Sequence, residues 1–142
     1  MLNISDLKIK NIVKYKKGHL AEIISITIEE GKEIIGVKGI ESDYINGIYE
    51  TIHWEGVPLS EERILNFGFQ DYGKDSYKVH LYGLNGLYLE RPEKSREYFI
   101  NNISINGING VKIKYIHELQ NFYSTIKKEQ LKFNILNSEQ SF

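Results

Sequence analysis

Four histidines, His19, His53, His80 and His117, are the scattered acid–base and metal-ligand candidates of this chain. Zinc hydrolysis needs ligands that one element can present together. In His-Glu-x-x-His two imidazoles share a helix face and the glutamate serves as base. His117-Glu118 begins that pattern, but Asn121 stands where the second histidine belongs. Ser60 lies in no Gly-x-Ser-x-Gly elbow. Glu61 and Glu62 are adjacent, so on a helix they diverge and complement its dipole rather than share a proton. No P-loop is present, and the Asn-Gly turns are hairpin chemistry. The expectation is a protein that is not an enzyme, with no catalytic residues, no metal and no cofactor.

Residues suited to binding are more concentrated. Tyr44, Tyr49, His53 and Trp54 fall around one stretch, and Arg63 follows. His117, Gln120 and Ser124 run along the polar flank of a terminal helix, beside Tyr123. Aromatic faces stack on a base, and a planar guanidinium pairs with phosphate. Tyr49, His53, Trp54, Arg63, His117 and Gln120 are therefore the expected ligand-binding set, for a nucleotide-like ligand. A structural alternative uses the same residues: Trp54 and Tyr123 in the core or an interface, Gln120 and His117 satisfying buried backbone. Lys8, Lys10, Lys14, Lys16 and Lys17 would suit phosphates, or keep an edge strand from unwanted pairing.

The elements that must position these residues are mostly strands. Val111, Ile113 and Tyr115 alternate with Lys112 and Lys114, the period of a half-buried strand. Ile116, Leu119, Tyr123 and Ile126 then recur at helical spacing, with Phe122 widening the stripe. This predicts a strand running directly into a helix of about three turns, on which the strands pack. Upstream, strands are expected around Ile9 to Tyr15, over Leu20 to Ile28 with Ile24, Ile26 and Ile28 on one face, over Ile34 to Lys38, and from Ile48 to Trp54. Gly36 within a strand suggests a bulge or a tight corner. Asn46-Gly47 reads as a turn or as a loop that starts the next strand.

Past Gly56-Val57-Pro58-Leu59, Ser60 is a natural N-cap for a helix of about two turns that ends at Gly68. Further strands are expected over Tyr77 to Tyr82, Leu87 to Leu89 and Tyr98 to Ile105, with turns at Gly83 to Gly86 and Asn106 to Gly110. Residues 127–133 read as a terminal turn or a short edge strand. Residues 1–136 are expected to form one α+β domain, with 137–142 a frayed tail.

Composition narrows the function classes. The hydrophobic share of 41% and charged share of 26% over 142 residues are enough for a core without staples. The absence of cysteine excludes disulfides and thiolate metal sites and fits a reducing compartment. No apolar run approaches the roughly 20 residues of a membrane span, nor that of a signal peptide, so a cytoplasmic, membrane-free protein is expected. A formal charge of −1 makes nucleic acid an unlikely partner.

Three stretches resemble a group of small uncharacterised proteins common in Bacteroidota genomes and their phages. Leu7 to Val13 is similar to that group's LRIGN-V start, with Lys10 in place of the glycine. Val57-Pro58-Leu59-Ser60-Glu61-Glu62, with Leu65 and Phe67-Gly68-Phe69, resembles its PIPLTEE…L…GF segment. Tyr115 to Tyr123 resembles Y-V-H-Q-L-Q-N-L-Y. The resemblance implies a compact, often phage-borne α/β module and transfers no activity to any residue. Val13-Lys14-Tyr15 before Gly18, and Glu22-Ile23-Ile24 after it, also resemble a small SH3-like fold. The expected architecture is thus a strand-rich α+β domain with an SH3-like N-terminal barrel or sheet, one short central helix and one C-terminal helix.

The function expected is binding: a phage or prophage protein, in the host cytoplasm, that sequesters a nucleotide immune signal to counter host defence. A protein–protein module acting on a host factor and an SH3-like RNA- or DNA-binding module are the alternatives. Sheet edges in a chain of this size suggest a homo-oligomer.

Overall fold

A computed structural model describes residues 2–74, 78–101 and 110–132. The chain is α+β; the described residues form two antiparallel five-stranded sheets, one short central helix and one helix toward the C-terminus. Its contacts gather into two compact units, Met1–Pro58 with Tyr115–Phe122, and Leu59–Lys114 with Tyr123–Phe142. No described helix is long and apolar enough to cross a membrane.

The first unit holds β1 (Ile12–Tyr15), β2 (Leu20–Glu29), β3 (Lys32–Gly39), β4 (Gly47–Glu50) and β5 (Trp54–Gly56). Their order is β4-β3-β2-β1-β5, an open sheet and not a closed barrel. Val13, Ala21, Ile23, Ile35, Val37 and Trp54 form its core together with Leu2, Leu7 and Ile45. Tyr15, Tyr49 and Trp54 pack as an aromatic trio with ring centroids 5.2 to 5.6 Å apart. The helix α2 (Ile116–Lys127) supplies fully buried Ile116 and Leu119 to this unit.

Two expectations fail here for a shared reason, the demands of non-local pairing. Residues Ile48 to Trp54 are not one strand. A 3-10 turn at Thr51–His53 breaks them, leaving β4 at one edge of the sheet and β5 at the other. The isoleucine face of β2 is also reset. Ile23 pairs with Val37 and Ser25 with Gly36, so Ile24 is the extra residue of a bulge. Beyond it the side chains change phase: Ile23 is buried, Ile26 half-buried, and Ile24 and Ile28 lie exposed. Gly36 stands opposite, where a Cβ would meet the Ser25 hydroxyl and force that side chain to turn away.

The second unit holds α1 (Glu61–Asn66), β6 (Gln70–Lys74), β7 (Val79–Leu84), β8 (Leu87–Pro92), β9 (Tyr98–Ile100) and β10 (Lys112–Ile113), with sheet order β10-β9-β8-β7-β6. Ser60 caps α1 as expected, its Oγ accepting from the Arg63 N–H at 3.3 Å. Gly68 follows the helix with φ +95°, a left-handed conformation that favours glycine. Asn85 and Gly86, both at positive φ, close the β7–β8 hairpin in two residues. β6 has no counterpart among the sequence expectations, because its polar residues hide the strand period. The expected strand ahead of the terminal helix shrinks to Lys112–Ile113. Beyond Lys127, residues 128–132 form no helix or strand. The continuation of the Tyr98 strand, the Asn106 turn and the tail at 137–142 lie outside the described residues.

Candidate ligand cleft

The start of α2 is organised by side chains that reach backbone. Glu118 Oε1 accepts from the Tyr115 N–H at 2.9 Å, the return half of a capping box. Gln120 uses both ends of its amide: Oε1 accepts from the Ile12 N–H at 2.8 Å and Nε2 donates to the Lys10 carbonyl at 3.0 Å. Asn121 donates to the Asp6 carbonyl at 2.9 Å and accepts from Asn11 Nδ2 at 2.8 Å. The first half of the helix therefore stitches the N-terminal segment to β1.

Beside these contacts lies a cleft of about 370 Å³ within the first unit. Asn3 and Asp6 come from the N-terminal segment, Lys14 from β1, Glu55 and Gly56 from β5, and Tyr115, His117 and Glu118 from the start of α2; Leu2 and Pro58 complete the lining. The Tyr115 and His117 rings stack, 5.5 Å between centroids and 9° between planes. Gly56 makes room for them, since a Cβ there would lie 2.7 Å from the tyrosine ring. Lys14 is held by Glu55 at 3.2 Å.

His117 is only 6% exposed, and its buried Nδ1 has no hydrogen-bond partner among the described residues. Burial pushes the imidazole below its ordinary pKa, a shift that the carboxylates of Glu118 and Asp6 partly oppose. The ring is therefore neutral at physiological pH. The buried Nδ1 has almost no accessible surface, so the cleft meets the His117 ring and not that nitrogen.

Of the residues expected to bind, His117 alone lines this cleft. Gln120 is buried and committed to the backbone of the Lys10–Ile12 stretch. Trp54 is fully buried in the aromatic trio. Both thus follow the structural alternative. Tyr49 donates to the Ile45 carbonyl and borders a separate hollow of about 220 Å³ with Tyr15, Lys17, His19, Tyr44 and Ile45. His53 is exposed in the 3-10 turn, and Arg63 belongs to the other unit. Sequence reasoning named Lys14 only within the lysine run and missed Asp6, Glu55, Gly56 and Tyr115 as lining residues. The available signal was Gly56, a glycine two residues past the strand tryptophan Trp54, which marks close approach of other groups.

The second unit gathers Glu61 of α1, Asp71 of β6 and His80 of β7, with one ligand atom from each within 4.8 Å of the others. Asp71 and His80 already satisfy one another at 2.5 Å. The Gly73 N–H and then His80 hold the Asp71 carboxyl below its usual range. His80 stacks on Tyr82, 4.6 Å between centroids. Glu61 and Asp71 are exposed, and the Asp71–His80 contact lies beside the Glu61 carboxylate.

No family model, no curated protein and no solved structure matches this chain.

Proposed function

We propose that this chain is a non-enzymatic recognition protein whose ligand sits in the cleft walled by Tyr115 and His117. One observation carries the reading: the stacked rings of Tyr115 and His117 stand in the wall of a cleft lined mostly by polar residues. A volume of about 370 Å³ suits a small molecule or one side chain rather than a macromolecular face. A hydrolytic role has less support, because the lining includes no serine, threonine or cysteine nucleophile.

The nucleotide expectation divides. The stacked ring pair supports a planar group such as a base. A phosphate has weaker support, since the lysine in the lining is paired with Glu55. Sequestration of a host defence signal by a phage or prophage protein rests on the resemblance of the three sequence stretches.

Thermal unfolding against a panel of nucleosides, cyclic and ADP-ribose-type nucleotides, and amine-bearing heterocycles tests the reading. Ligand at about 100 times its Kd adds about 2.7 kcal/mol to stability. A panel that leaves the melting temperature unmoved counts against the proposal.

A second reading, self-association, is favoured by β4. It is one of the two edge strands of its sheet, and Ile48 on it is 77% exposed. With Ile24 it flanks an apolar hollow over Gly36. A second copy pairing along β4 would continue the sheet and cover both isoleucines. Light scattering of the protein and of Ile48→Lys decides it: a dimer that the substitution splits supports the reading, and a monomeric parent ends it.

A further inference from the structure

We infer a second binding site, in the hollow beside the β1–β2 turn, for an aromatic ring that carries an anionic group; a nucleoside 5′-monophosphate is its simplest natural form. The site shares no lining residue with the Tyr115–His117 cleft and does not depend on it. Tyr15, Lys17, His19, Tyr44, Ile45 and Tyr49 line about 220 Å³. Backbone bonds fix the turn: the Tyr15 N–H donates to the His19 carbonyl at 2.8 Å and the Gly18 N–H to the Tyr15 carbonyl at 2.7 Å. Gly18 takes φ +109° there, a left-handed conformation that favours glycine. The 3-10 turn Asp43–Ile45, capped by Ser42, brings the Tyr44 ring to 5.7 Å from that of His19. Tyr49 is held by its bond to the Ile45 carbonyl and by the rings of Tyr15 and Trp54. The aromatic wall therefore exists before any ligand arrives, yet Tyr44 on it is 81% exposed.

Charge selects the ligand. The lining holds one lysine and no carboxylate. Lys14, two residues before the turn, is neutralised by Glu55, whereas Lys17 is exposed and has no ion pair or side-chain hydrogen bond among the described residues. A ring gains by stacking on Tyr44 and His19, and an anionic substituent gains from the Lys17 ammonium and an imidazole N–H. A cationic ligand meets an uncompensated lysine. The hollow is below the usual size of a drug-sized pocket, so it takes one nucleotide unit rather than several.

The unit has two sources, a free mononucleotide or one residue of a single strand, and the formal charge of −1 favours the free form. AMP, adenosine, inorganic phosphate and a single-stranded oligoadenylate are the probes, each followed by chemical-shift changes in the intact protein. AMP should shift the His19 and Tyr44 resonances at lower concentration than adenosine or phosphate, and whichever of AMP and the oligonucleotide binds tighter names the source. Tyr44→Ala removes an exposed ring and should weaken AMP about five-fold or more, the range of a lost stacking partner. Lys17→Gln should weaken it about two- to five-fold, the range of an exposed ion pair. Lys94→Gln, in the other unit, should leave it unchanged. If adenosine binds as tightly as AMP and Lys17→Gln changes nothing, the anionic half of the assignment is wrong. If AMP shifts only Tyr115 and His117, the hollow is not a site and the cleft remains one. If no probe shifts His19 or Tyr44, the inference falls, whatever the cleft binds.

Discussion

The imidazole of His117 lies parallel to the ring of Tyr115, and Gly56 is the residue whose missing side chain leaves both rings their place. A Cβ on Gly56 would stand 2.7 Å from the tyrosine ring and 3.1 Å from His117 Cε1. One glycine in β5 thus sets the width of the cleft and the burial of its histidine.

That burial makes stability depend on pH. The folded His117 has a pKa below its unfolded value, which is about 6.5. In the window between the two, the unfolded chain binds more protons, so stability falls as pH drops below about 6.5 and levels off under the folded pKa. Urea unfolding midpoints measured from pH 7.5 downward should show this slope, and His117→Gln should flatten it. Asp6→Asn should steepen it, because the Asp6 carboxylate now favours the protonated ring. Equal slopes in all three proteins would show that His117 does not titrate as its surroundings require.

Gln120 is a clamp on the N-terminal strand. Gln120→Ala strands the Ile12 N–H and the Lys10 carbonyl together, at a cost of about 2–4 kcal/mol by analogy with unsatisfied buried groups. Denaturant unfolding measures it. A loss of ligand affinity with stability intact would instead make Gln120 a ligand contact.

Gly36 and Ser25 form a coupled pair across the β2 bulge. Gly36→Ala drives a methyl into the Ser25 hydroxyl and should cost about 1–3 kcal/mol. Adding Ser25→Ala removes the hydroxyl and should restore most of the loss. A double-mutant cycle with no coupling would contradict the observed register.

The β7–β8 hairpin tip is tied to α2. Asn85 adopts φ +50° and donates from Nδ2 to the Tyr123 hydroxyl at 2.7 Å, which itself donates to Glu129 at 3.0 Å. Asn85→Ala loses both the favourable left-handed residue and the bond, about 1–2 kcal/mol. Asn85→Gly keeps the turn and should lose less, and equal losses would place the whole effect in the hydrogen bond.

Local signals in the chain were enough to determine the strand-rich α+β build, the Ser60 cap, the Gly68 stop, a turn within Gly83 to Gly86, of which Gly83 and Leu84 prove to be strand, and a helix over Ile116 to Ile126, which runs one residue further. Each depends on periodicity or on a residue whose conformational preference acts within a few neighbours. Tertiary structure decided the rest. The break at Thr51–His53 follows from where β4 and β5 find partners, at opposite edges of one sheet. The exposure of Ile24 follows from a bulge that only the pairing with β3 defines. The cleft draws on the N-terminal segment, β1, β5 and α2, and neither spacing nor composition encodes their meeting. Trp54 and Gln120 carry the chemistry of ligand residues, and packing assigned one to the core and the other to the backbone of a strand. A side chain's type fixes which bonds it can make, and its neighbours in space fix which of them it does make.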